Sequence, residues 1–506
     1  MTHASTITEL LARGDPSAPA ISAPGRPDLS YEGLLDQVAG TVKALGELGV
    51  ARDDAVAIVL PNGPEMAVAF VAIAAGATTA PLNPAYTAAE FEFYLQDLGA
   101  RLLVVETGST SPAVAVAGRL GVPIAELAVP AGAAAGRFEL RGVPGKNALP
   151  DRAVRPDDVA LVLHTSGTTS RPKIVPLTQA NICASARHIA TSLALTPGDR
   201  CLQVMPLFHI HGLIAAVLSS LHAGANVCCT PGFNALQFFN QLREVRPTWY
   251  TAVPTMHQAL LARADRNRDA IAEVQLRFAR SSSASLPPQV MTALEATFGC
   301  PLIEAYGMTE AAHQMTSNPL PPGGRFAGSV GIAAGPDVAV MDEQGALLPS
   351  GDVGEIVIRG PNVTPGYRNN AAANATAFSN GWFRTGDQGV LDGDGYLRLT
   401  GRLKEIINRG GEKISPREVD EVLLDHPAVE QAVTFAVPHP MLGEDVAAAV
   451  VLKPGVEATE RELRQFAGTR LADMKVPRKI LFLAEIPKGA TGKIQRIGLA
   501  KTLGLA

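Results

Sequence analysis

An apolar run that leads straight into a loop of small hydroxylated residues constrains this chain more than any other feature. Residues 159–163 read Val-Ala-Leu-Val-Leu, which has the length and composition of a strand. The loop after it can turn backbone N–H groups and hydroxyls toward an anion, and Gly167 lets the backbone approach that anion closely. The candidate ligands are Thr165, Ser166, Gly167, Thr168, Thr169 and Lys173. The Walker spacing G-x-x-x-x-G-K-[ST] is absent, so the pattern predicts a polyphosphate site of another kind, with a solvated turn as the alternative.

A second motif, residues 304–310, follows another short apolar stretch and reads Glu-Ala-Tyr-Gly-Met-Thr-Glu. The ring of Tyr306 can stack on a base, and the hydroxyl of Thr309 can reach a phosphate. Glu310 can hold Mg²⁺, because that ion takes oxygen ligands together with substrate phosphates. A core aromatic and a surface charge are the structural alternatives, so this motif indicates a nucleotide site only in combination with the other motifs.

Two further motifs lie downstream. Residues 382–387 end in Asp387, whose carboxylate can accept hydrogen bonds from both hydroxyls of a ribose, and Arg402 follows shortly after. Near the C-terminus, Lys493 stands on a glycine-rich arm formed by residues 487–493. Alone, the first of these motifs could be a surface charge and the second a solvated tail lysine. All four motifs in this order are much harder to explain in that way.

Together these residues resemble the adenylate-forming superfamily of acyl-CoA synthetases, luciferases and peptide-synthetase adenylation domains. The resemblance extends from about Leu29 to Arg496, which is nearly the whole chain. Its most specific motifs are residues 165–169, 306–310, 385–387 and 492–493. It implies that the chain uses ATP, Mg²⁺ and coenzyme A together with a small carboxylic acid.

The resemblance implies a first step in which a carboxylate attacks the α-phosphate of ATP and forms an acyl-adenylate. Two anions meet in this step, so positive charge must neutralise them, and Lys493 has that role by resemblance. Adenine is expected against Tyr306 and Mg²⁺ at Glu310. The residues implied in nucleotide binding are Thr165, Ser166, Gly167, Thr168, Thr169, Lys173, Glu304, Ala305, Tyr306, Gly307, Thr309, Asp387, Arg402 and Lys493.

A second step needs a different geometry, because the thiol of coenzyme A must reach the acyl carbonyl after pyrophosphate leaves. The resemblance implies that the C-terminal domain rotates about a hinge at Lys404. Gly410 and Gly411, which lack side chains, would then form a wall of the thiol tunnel, with Lys413 beside them. A left-handed turn at the two glycines is the alternative.

The acid pocket is unusual. Residues 280–285 read Arg-Ser-Ser-Ser-Ala-Ser, where many relatives carry glycines and an alanine. Such a pocket disfavours a long alkyl chain, because buried polar groups would lose their hydrogen-bond partners. It suits a small anionic acid, held by hydroxyls and an imidazole without an arginine beside the reacting group. The candidate ligands are His209, Ser281, Ser283 and His313. These segments resemble the oxalyl-CoA synthetase (oxalate–CoA ligase) family over roughly residues 163–496.

Alternation of strands and helices argues for parallel sheets covered by helices. Strands are predicted at residues 56–60, 101–105 and 159–163, and helices at residues 65–75 and 416–424. From residue 328 to 399 the pattern changes to short strands with Gly and Pro turns, typical of a small β-barrel. We therefore expect an α/β fold with a large N-terminal domain over residues 1–402, built of two α/β sheet subdomains plus a small β-barrel. A small mobile α+β C-terminal domain follows over residues 403–506.

Composition and net charge limit the partners and the cellular compartment that we expect for this chain. The net charge of the 506 residues is −5, so no nucleic-acid partner is expected. The N-terminus lacks the regions of a signal peptide, and the longest apolar run, residues 66–77, is shorter than the ~20 residues that span a bilayer. Five cysteines without zinc spacing are typical of buried thiols in a reducing cytoplasm. We expect a cytoplasmic monomer or homodimer with no membrane span.

Three alternatives stay open. One is a medium- or long-chain fatty acyl-CoA synthetase, and another is an adenylation enzyme that loads a separate carrier protein. The third is a binding protein with a decayed site, against which the intact Lys493, Glu310 and Asp387 argue. Two residues depart from the usual phosphate loop, since Ser170 and Ile174 stand where glycines are common.

Overall fold

The computed structural model describes residues 3–144, 154–165, 172–487 and 496–506. These residues form two compact units. The first contains the described residues up to Thr165, together with Pro172–Val338 and Ile358–Ala377. The second contains Ala339–Val357 and the described residues from Phe378 onward.

The strands, in chain order, are β1 (Pro19–Ser22), β2 (Leu29–Ser30), β3 (Ala55–Val59), β4 (Thr78–Pro81), β5 (Leu102–Glu106), β6 (Ile124–Ala128), β7 (Glu139–Gly142), β8 (Val159–Thr165), β9 (Lys173–Thr178), β10 (Arg200–Gln203), β11 (Asn226–Cys229), β12 (Trp249–Ala252), β13 (Phe278–Ser281), β14 (Leu302–Met308), β15 (His313–Ser317), β16 (Ile332–Ala333), β17 (Asp337–Met341), β18 (Val353–Arg359), β19 (Phe378–Ser379), β20 (Trp382–Leu391), β21 (Leu397–Arg402), β22 (Ile407–Arg409), β23 (Glu412–Ile414), β24 (Val429–His439), β25 (Gly443–Leu452) and β26 (Lys479–Phe482).

The α-helices are α1 (Ile7–Leu11), α2 (Tyr31–Glu47), α3 (Pro64–Ala74), α4 (Ala88–Leu98), α5 (Pro112–Leu120), α6 (Gln179–Ser192), α7 (Ser219–His222), α8 (Phe238–Val245), α9 (Pro254–Ala264), α10 (Arg268–Ala272), α11 (Pro288–Phe298), α12 (Ala371–Ala377), α13 (Pro416–Leu424), α14 (Glu460–Gly468) and α15 (Leu499–Thr502). A π-helix covers His211–Leu218, and short 3₁₀ turns cover Asp265–Asn267, Thr309–Ala311 and Asp473–Lys475.

Two sheets build the first unit. One has the order β7-β6-β5-β3-β4-β8-β9, in which the central strands are parallel and the edge strands β7 and β9 are antiparallel. The other has the order β16-β15-β14-β13-β12-β10-β11-β1-β2, with a parallel centre from β1 to β14. Because the carboxyl ends of parallel strands share one edge, β12, β13 and β14 bring their final residues together.

Local sequence explains where the helices begin and end. α4 starts at a capping box, in which the hydroxyl of Thr87 accepts from the N–H of Glu90 while the Glu90 carboxylate accepts from the N–H of Thr87. It ends at Gly99, whose φ of 59° is left-handed and favours glycine. α3 is different, since every residue except Glu65 is buried, so it packs as a fully internal helix.

The second unit also has two sheets. One has the order β17-β18-β20-β19, with β21 paired to β20, and it occupies the region predicted as a small β-barrel. The other has the order β23-β22-β25-β24, with β26 paired to β25. Its apolar face packs against α13 and α14 through residues such as Val419, Leu423 and Leu463.

The α/β class predicted from the sequence is confirmed. The helix predicted at residues 416–424 has those bounds, and the predicted strands shift by only one or two residues. Arg402, proposed as the last residue of the N-terminal domain, ends β21 within the second unit, and this boundary stays a prediction. All five cysteines are buried, and none forms a disulfide. Among the described residues, no helix is both long and apolar enough to cross a membrane.

Candidate active site

The two ends of the predicted phosphate loop are neighbours. Thr165 is the last residue of β8, Lys173 is the first residue of β9, and the two pair in the antiparallel ladder. Ser166, Gly167, Thr168 and Thr169 lie outside the described residues. The hairpin therefore fixes where the loop leaves and re-enters the sheet, and it places the Lys173 ammonium 4.3 Å from the centre of the Tyr367 ring.

Tyr367 connects the phosphate loop with the second motif. Its hydroxyl donates to Oε1 of Glu310 at 2.9 Å, and Glu310 is buried in the 3₁₀ turn that follows β14. Burial, followed by the nearby Glu310 charge, raises the pKa of Tyr367, so the phenol keeps the proton that it donates. Sequence reasoning missed Tyr367, because a tyrosine in a polar loop has no periodicity or spacing that marks it.

The second motif forms the end of β14. Ala305 accepts from the Ser282 hydroxyl at 2.8 Å through its carbonyl, and Tyr306 is buried. Oε1 of Glu304 accepts from the backbone N–H of Leu286 at 3.2 Å, so this side chain ties β14 to the segment after β13. A Cβ on Gly307 would lie 1.6 Å from the His313 carbonyl oxygen, which explains the glycine. Thr309 follows at the first position of the 3₁₀ turn.

A fully buried arginine lies at the centre of the predicted acid pocket. Arg280, in β13, is 0% exposed. Its Nη2 donates to Nε2 of His313 and to Oε1 of Gln314, both at 3.2 Å. Its Nη1 lies 3.4 Å from Oγ1 of Thr251 and 3.5 Å from Nε2 of His211. β13 thus directs Arg280 inward, against the predicted ligand His313, and the absence of an arginine beside the reacting group stays a prediction.

In the Pro-Leu-Phe-His-Ile-His segment, His211 joins the cluster around Arg280, and the predicted ligand His209 lies two residues before it. His211 is fully buried, and its Nδ1 lies 3.0 Å from Oγ of Ser283 while its Nε2 lies 2.6 Å from Oγ1 of Thr251. Its ring stacks on His313 with centroids 4.9 Å apart. His209 is half-buried, and its Nδ1 accepts from the backbone N–H of His211. It therefore shapes the turn that precedes the π-helix.

Backbone strain is concentrated at the same pocket. Ser283 has φ 73°, Ala312 has φ 47° and His313 has φ 97°, all of which are unusual for residues with a Cβ. Such conformations cost of order 1–3 kcal/mol each and persist where the surrounding structure enforces them. Ser281, a predicted ligand, is fully buried, and its hydroxyl has no hydrogen-bond partner among the described residues.

The predicted ribose ligands form a pair in the second unit. Asp387 in β20 lies opposite Arg402 in β21, and Nε of Arg402 donates to Oδ1 of Asp387 at 2.8 Å. Gly386, with φ 74°, allows the turn in the strand that presents the carboxylate. Glu355 supports this segment by accepting from the N–H of Gly386 and from Arg384. The carboxylate is thus held rigidly, and Arg402 is half-exposed beside it.

The residues proposed for the thiol step lie in the same unit. Lys404 is exposed in the turn after β21. Gly410 and Gly411 have φ 61° and 97° and join β22 to β23, so the left-handed turn that was the alternative explains both glycines. Lys413 is exposed and pairs with Glu343 at 3.0 Å.

Lys493 lies outside the described residues, but the chain just after it is firmly held. Arg496 donates to Glu405 at 3.2 Å and also to Asp420. Burial opposes the charge of Arg496, yet the carboxylates of Asp420 and Glu405 outweigh it and raise the pKa of Arg496. This ion-pair cluster holds the described chain in place three residues after Lys493. The two carboxylate partners of Arg496 could not be foreseen from the sequence, because they lie 91 and 76 residues away along the chain.

A metal site was predicted at Glu310. Among the residues that the structure describes, no group of three or more His, Cys, Asp or Glu side chains could hold a metal ion by itself. Mg²⁺ commonly binds one or two carboxylates together with substrate phosphates and waters. A single buried carboxylate near Lys173 and the phosphate-loop hairpin fits that requirement.

Comparisons with known proteins identify the family of the chain. Residues 9–368 match the model of the AMP-binding enzyme family, and residues 418–493 match that of the AMP-binding enzyme C-terminal domain. An oxalate–CoA ligase of Arabidopsis thaliana is 45% identical over 97% of each chain. Another from Saccharomyces cerevisiae is 44% identical, covering 90% of this chain and 87% of its own. ATP-bound MatB from Rhodopseudomonas palustris superposes with a TM-score of 0.88 at 30% identity over 99% of each chain. The chain therefore belongs to the AMP-binding enzyme family.

Proposed function

We propose that this chain is an ATP-dependent oxalate–CoA ligase that joins oxalate to coenzyme A through an oxalyl-adenylate. Both curated relatives named above are oxalate–CoA ligases and align over most of the chain. Relatives in one family can still differ in the acid that they accept. The choice of acid must therefore come from the pocket itself.

The choice of acid rests on the fully buried guanidinium of Arg280, which no carboxylate of the described residues contacts. Burial lowers the pKa of Arg280 to about 9, which expresses how unfavourable the uncompensated charge is. A buried charge without a counter-ion costs several kcal/mol. An acid with a second anionic group close to its reacting carboxylate would supply the missing charge, and oxalate is the smallest such acid.

A fatty acid fits this pocket poorly. The ring stack of His211 and His313, with the buried Ser281 and Thr251, would face an alkyl chain and lose hydrogen-bonding opportunities. Leaving a buried polar group without a partner costs about 1–3 kcal/mol. The buried polar groups therefore favour a small polar acid over the medium- and long-chain alternative.

In the first half-reaction, one carboxylate oxygen of oxalate forms a bond to the α-phosphorus of ATP, and the bond from that phosphorus to the bridging oxygen of pyrophosphate breaks. Lys493 neutralises the two anions as they approach. Lys173 and the loop hydroxyls hold the leaving pyrophosphate. The second carboxylate of oxalate accepts hydrogen bonds from Ser283 and His313.

Glu310 is the residue that would hold Mg²⁺, and Tyr367 orients its carboxylate through the hydrogen bond at 2.9 Å. When bound, the ion supplies positive charge to the phosphate oxygens. Adenine would lie against Tyr306, and the ribose hydroxyls would meet Asp387 and Arg402.

In the second half-reaction, the sulfur of coenzyme A bonds to the activated carbonyl carbon, the thiol proton is released, and AMP leaves with the electron pair of the broken carbon–oxygen bond. Rotation of the C-terminal part about Lys404 would exchange Lys493 for Gly410, Gly411 and Lys413 at the site. A separate carrier protein could present its thiol in the same place, and activity with free coenzyme A separates the two possibilities.

The test is a panel of acids assayed with ATP and Mg²⁺, with and without coenzyme A, following pyrophosphate and AMP. We expect oxalate to have the highest kcat/KM, malonate and sulfoacetate to be weaker, and acetate and hexanoate to be weaker than oxalate by ~10⁴-fold. Arg243, exposed and paired with Glu273 on the surface, offers a matched control, since Arg243→Met should change none of these ratios. Faster turnover of hexanoate than of oxalate would contradict the proposed acid.

A further inference from the structure

The two stacked histidines share one neighbour, the guanidinium of Arg280. Its Nη2 lies 3.2 Å from Nε2 of His313, and its Nη1 lies 3.5 Å from Nε2 of His211. A guanidinium only donates hydrogen bonds, because all its nitrogens carry protons. Any ring nitrogen that faces it at these distances must therefore act as an acceptor.

This rule fixes the tautomer of His313. A neutral imidazole carries one proton, either on Nδ1 or on Nε2. Since Nε2 accepts from Arg280, the proton of His313 resides on Nδ1. The donor of this imidazole is then the nitrogen on the opposite side of the ring from the guanidinium.

The same rule, through a short relay, fixes the tautomer of His211. Nε2 of His211 faces Nη1 of Arg280 at 3.5 Å and must accept, so the Thr251 hydroxyl, which lies 2.6 Å from this nitrogen and accepts from Nη1 at 3.4 Å, donates its hydrogen to Nε2. Nδ1 of His211 therefore carries the proton and donates to Oγ of Ser283 at 3.0 Å. Since that oxygen already accepts a hydrogen bond, the hydroxyl hydrogen of Ser283 turns away from His211.

The guanidinium itself is held in one orientation. Its Nη2 also donates to Oε1 of Gln314, whose amide nitrogen donates to Ser192 Oγ at 2.9 Å and to the carbonyl of Ala334 at 3.1 Å. A carbonyl can only accept, so the Gln314 amide cannot flip without losing that bond. The chain of contacts thus runs from a backbone carbonyl through Gln314 to Arg280 and on to both histidines.

We propose that Arg280 is a positioning residue that holds both His211 and His313 as Nδ1–H tautomers, so that Ser283 and His313 present hydrogen-bond donors to the acid. The inference rests on the proposed function for the identity of that acid, but not for the tautomers. In this arrangement the acid contacts the neutral donors of Ser283 and His313, and the guanidinium of Arg280, whose charge balances the acid, lies behind them.

The direct test is ¹⁵N NMR of the ligand-free full-length protein labelled at histidine, in which ring-nitrogen shifts distinguish protonated from unprotonated nitrogens. The chain has ten histidines, so the signals of His211 and His313 are identified as those missing from the spectra of His211→Gln and His313→Gln. We expect both rings to carry their proton on Nδ1. A proton on Nε2 of either ring overturns the proposal, whichever acid the enzyme uses.

Variants of Arg280 test what the tautomers do. Arg280→Met removes every donor at nearly the same volume, and Arg280→Lys keeps the charge with a single point of donation. We expect Arg280→Met to move both rings to mixed tautomers and to lower kcat/KM for oxalate by about 10–100-fold, by analogy with the loss of a partner that orients a metal-binding histidine. The KM for ATP should change by less than about 2-fold. Arg280→Lys should restore part of the oxalate activity.

The controls distinguish a positioning role of Arg280 from a general structural effect and from the proposed function. Arg243→Met should leave both the spectrum and the kinetics unchanged. If Arg280→Met fails to fold, the spectrum of the wild-type protein still decides. Unchanged tautomers together with unchanged oxalate kinetics in a folded Arg280→Met variant would also overturn the proposal. If the predicted tautomers appear but oxalate is a poor substrate, the proposed function fails and the positioning role of Arg280 stands.

Discussion

Two arginines of this chain are removed from water in opposite electrostatic settings. Arg280, in the first unit, is fully buried and contacts two histidines, a threonine and a glutamine. Arg496, in the second unit, is partly buried and contacts the carboxylates of Asp420 and Glu405. Burial lowers the pKa of Arg280, whereas the two carboxylates outweigh burial and raise the pKa of Arg496.

The difference separates a structural cation from one that is prepared for a ligand. Arg496 is compensated within the fold, so its charge contributes to stability without any ligand. Among the described residues, Arg280 contacts only neutral acceptors, so its charge becomes fully balanced when an anion enters the pocket. Proteins rarely bury an unpaired charge without a functional reason, because the cost is several kcal/mol.

The largest effect is expected from removing the compensated arginine. Arg496→Met leaves Asp420 and Glu405 without their cation, and breaking a buried pair costs about 3–5 kcal/mol. We expect the second unit to lose about 3 kcal/mol of unfolding free energy. Urea unfolding followed by Trp382 fluorescence in a Trp249→Phe background reports on this unit, since the chain has two tryptophans and each lies in a different unit.

Arg478→Met is the matched control, because Arg478 is half-exposed and lies 3.6 Å from Asp473. Exposed pairs contribute about 0–1 kcal/mol, so this variant should behave like the wild type. Equal losses in the two variants would mean that the cluster around Arg496 is not a structural ion-pair site.

The next effect in size concerns the ligand. Oxalate with a non-hydrolysable ATP analogue should stabilise the first unit by about 2.7 kcal/mol at 100 times its dissociation constant. If Arg280→Met weakens oxalate binding by 10-fold or more, the same concentration should stabilise that variant by about 1.4 kcal/mol or less. Thermal unfolding followed by Trp249 in a Trp382→Phe background measures both. Arg496→Met should keep the full effect, and an equal shift in all three proteins would remove the distinction between the two arginines.

A smaller effect is expected from Arg280 when no ligand is present. Arg280→Met removes an uncompensated buried charge, which favours the variant, but it also leaves Oε1 of Gln314 without this donor, which costs about 1–3 kcal/mol. These opposing contributions should nearly cancel, so the unfolding free energy of the first unit should change by less than about 1 kcal/mol. A loss as large as that predicted for Arg496→Met would show that Arg280 is mainly a structural residue.

The same contrast shows what the sequence could reveal. The strand before the phosphate loop, the α/β class and the helix at residues 416–424 follow from local patterns of apolar residues, turns and caps. The inward orientation of Arg280 does not, because it depends on which face of β13 packs against the histidines. Tyr367 and the partners of Arg496 were missed for the same reason, since each contact joins elements that are far apart along the chain.

The structure adds a third histidine to the two candidates. Residue types selected His209 and His313, which stay predicted ligands, and the fold stacks His211, two residues after His209, on His313. The π-helix begins at His211 and turns its ring into the pocket, while His209 caps the preceding turn. Which ring enters the cluster is set by backbone geometry, so composition could identify the segment but not the histidine that stacks on His313.

The smallest predicted effect is a change in pH dependence at Asp420. Burial raises the pKa of Asp420 above its ordinary 3.8, even though Arg496 opposes this shift. The folded state therefore binds a proton at a higher pH than the unfolded state does. Between the unfolded-state and the folded-state pKa of Asp420, the free energy of unfolding falls as pH rises. Above the folded-state pKa, this titration no longer changes it. Asp420→Asn removes this titration while its amide oxygen can still accept from the N–H of Thr434, which donates to Asp420 in the wild type.

The measurement is urea unfolding of the second unit at a series of pH values from about 4 upward, with the unfolding free energy of Asp420→Asn subtracted from that of the wild type. We expect the difference to decrease by a few tenths of a kcal/mol or more as pH rises, then to level off. A difference that increases with pH would mean that Arg496 holds the pKa of Asp420 below 3.8. The charge of Arg496 would then dominate burial at both partners, and the contrast with the uncompensated Arg280 would be sharper still.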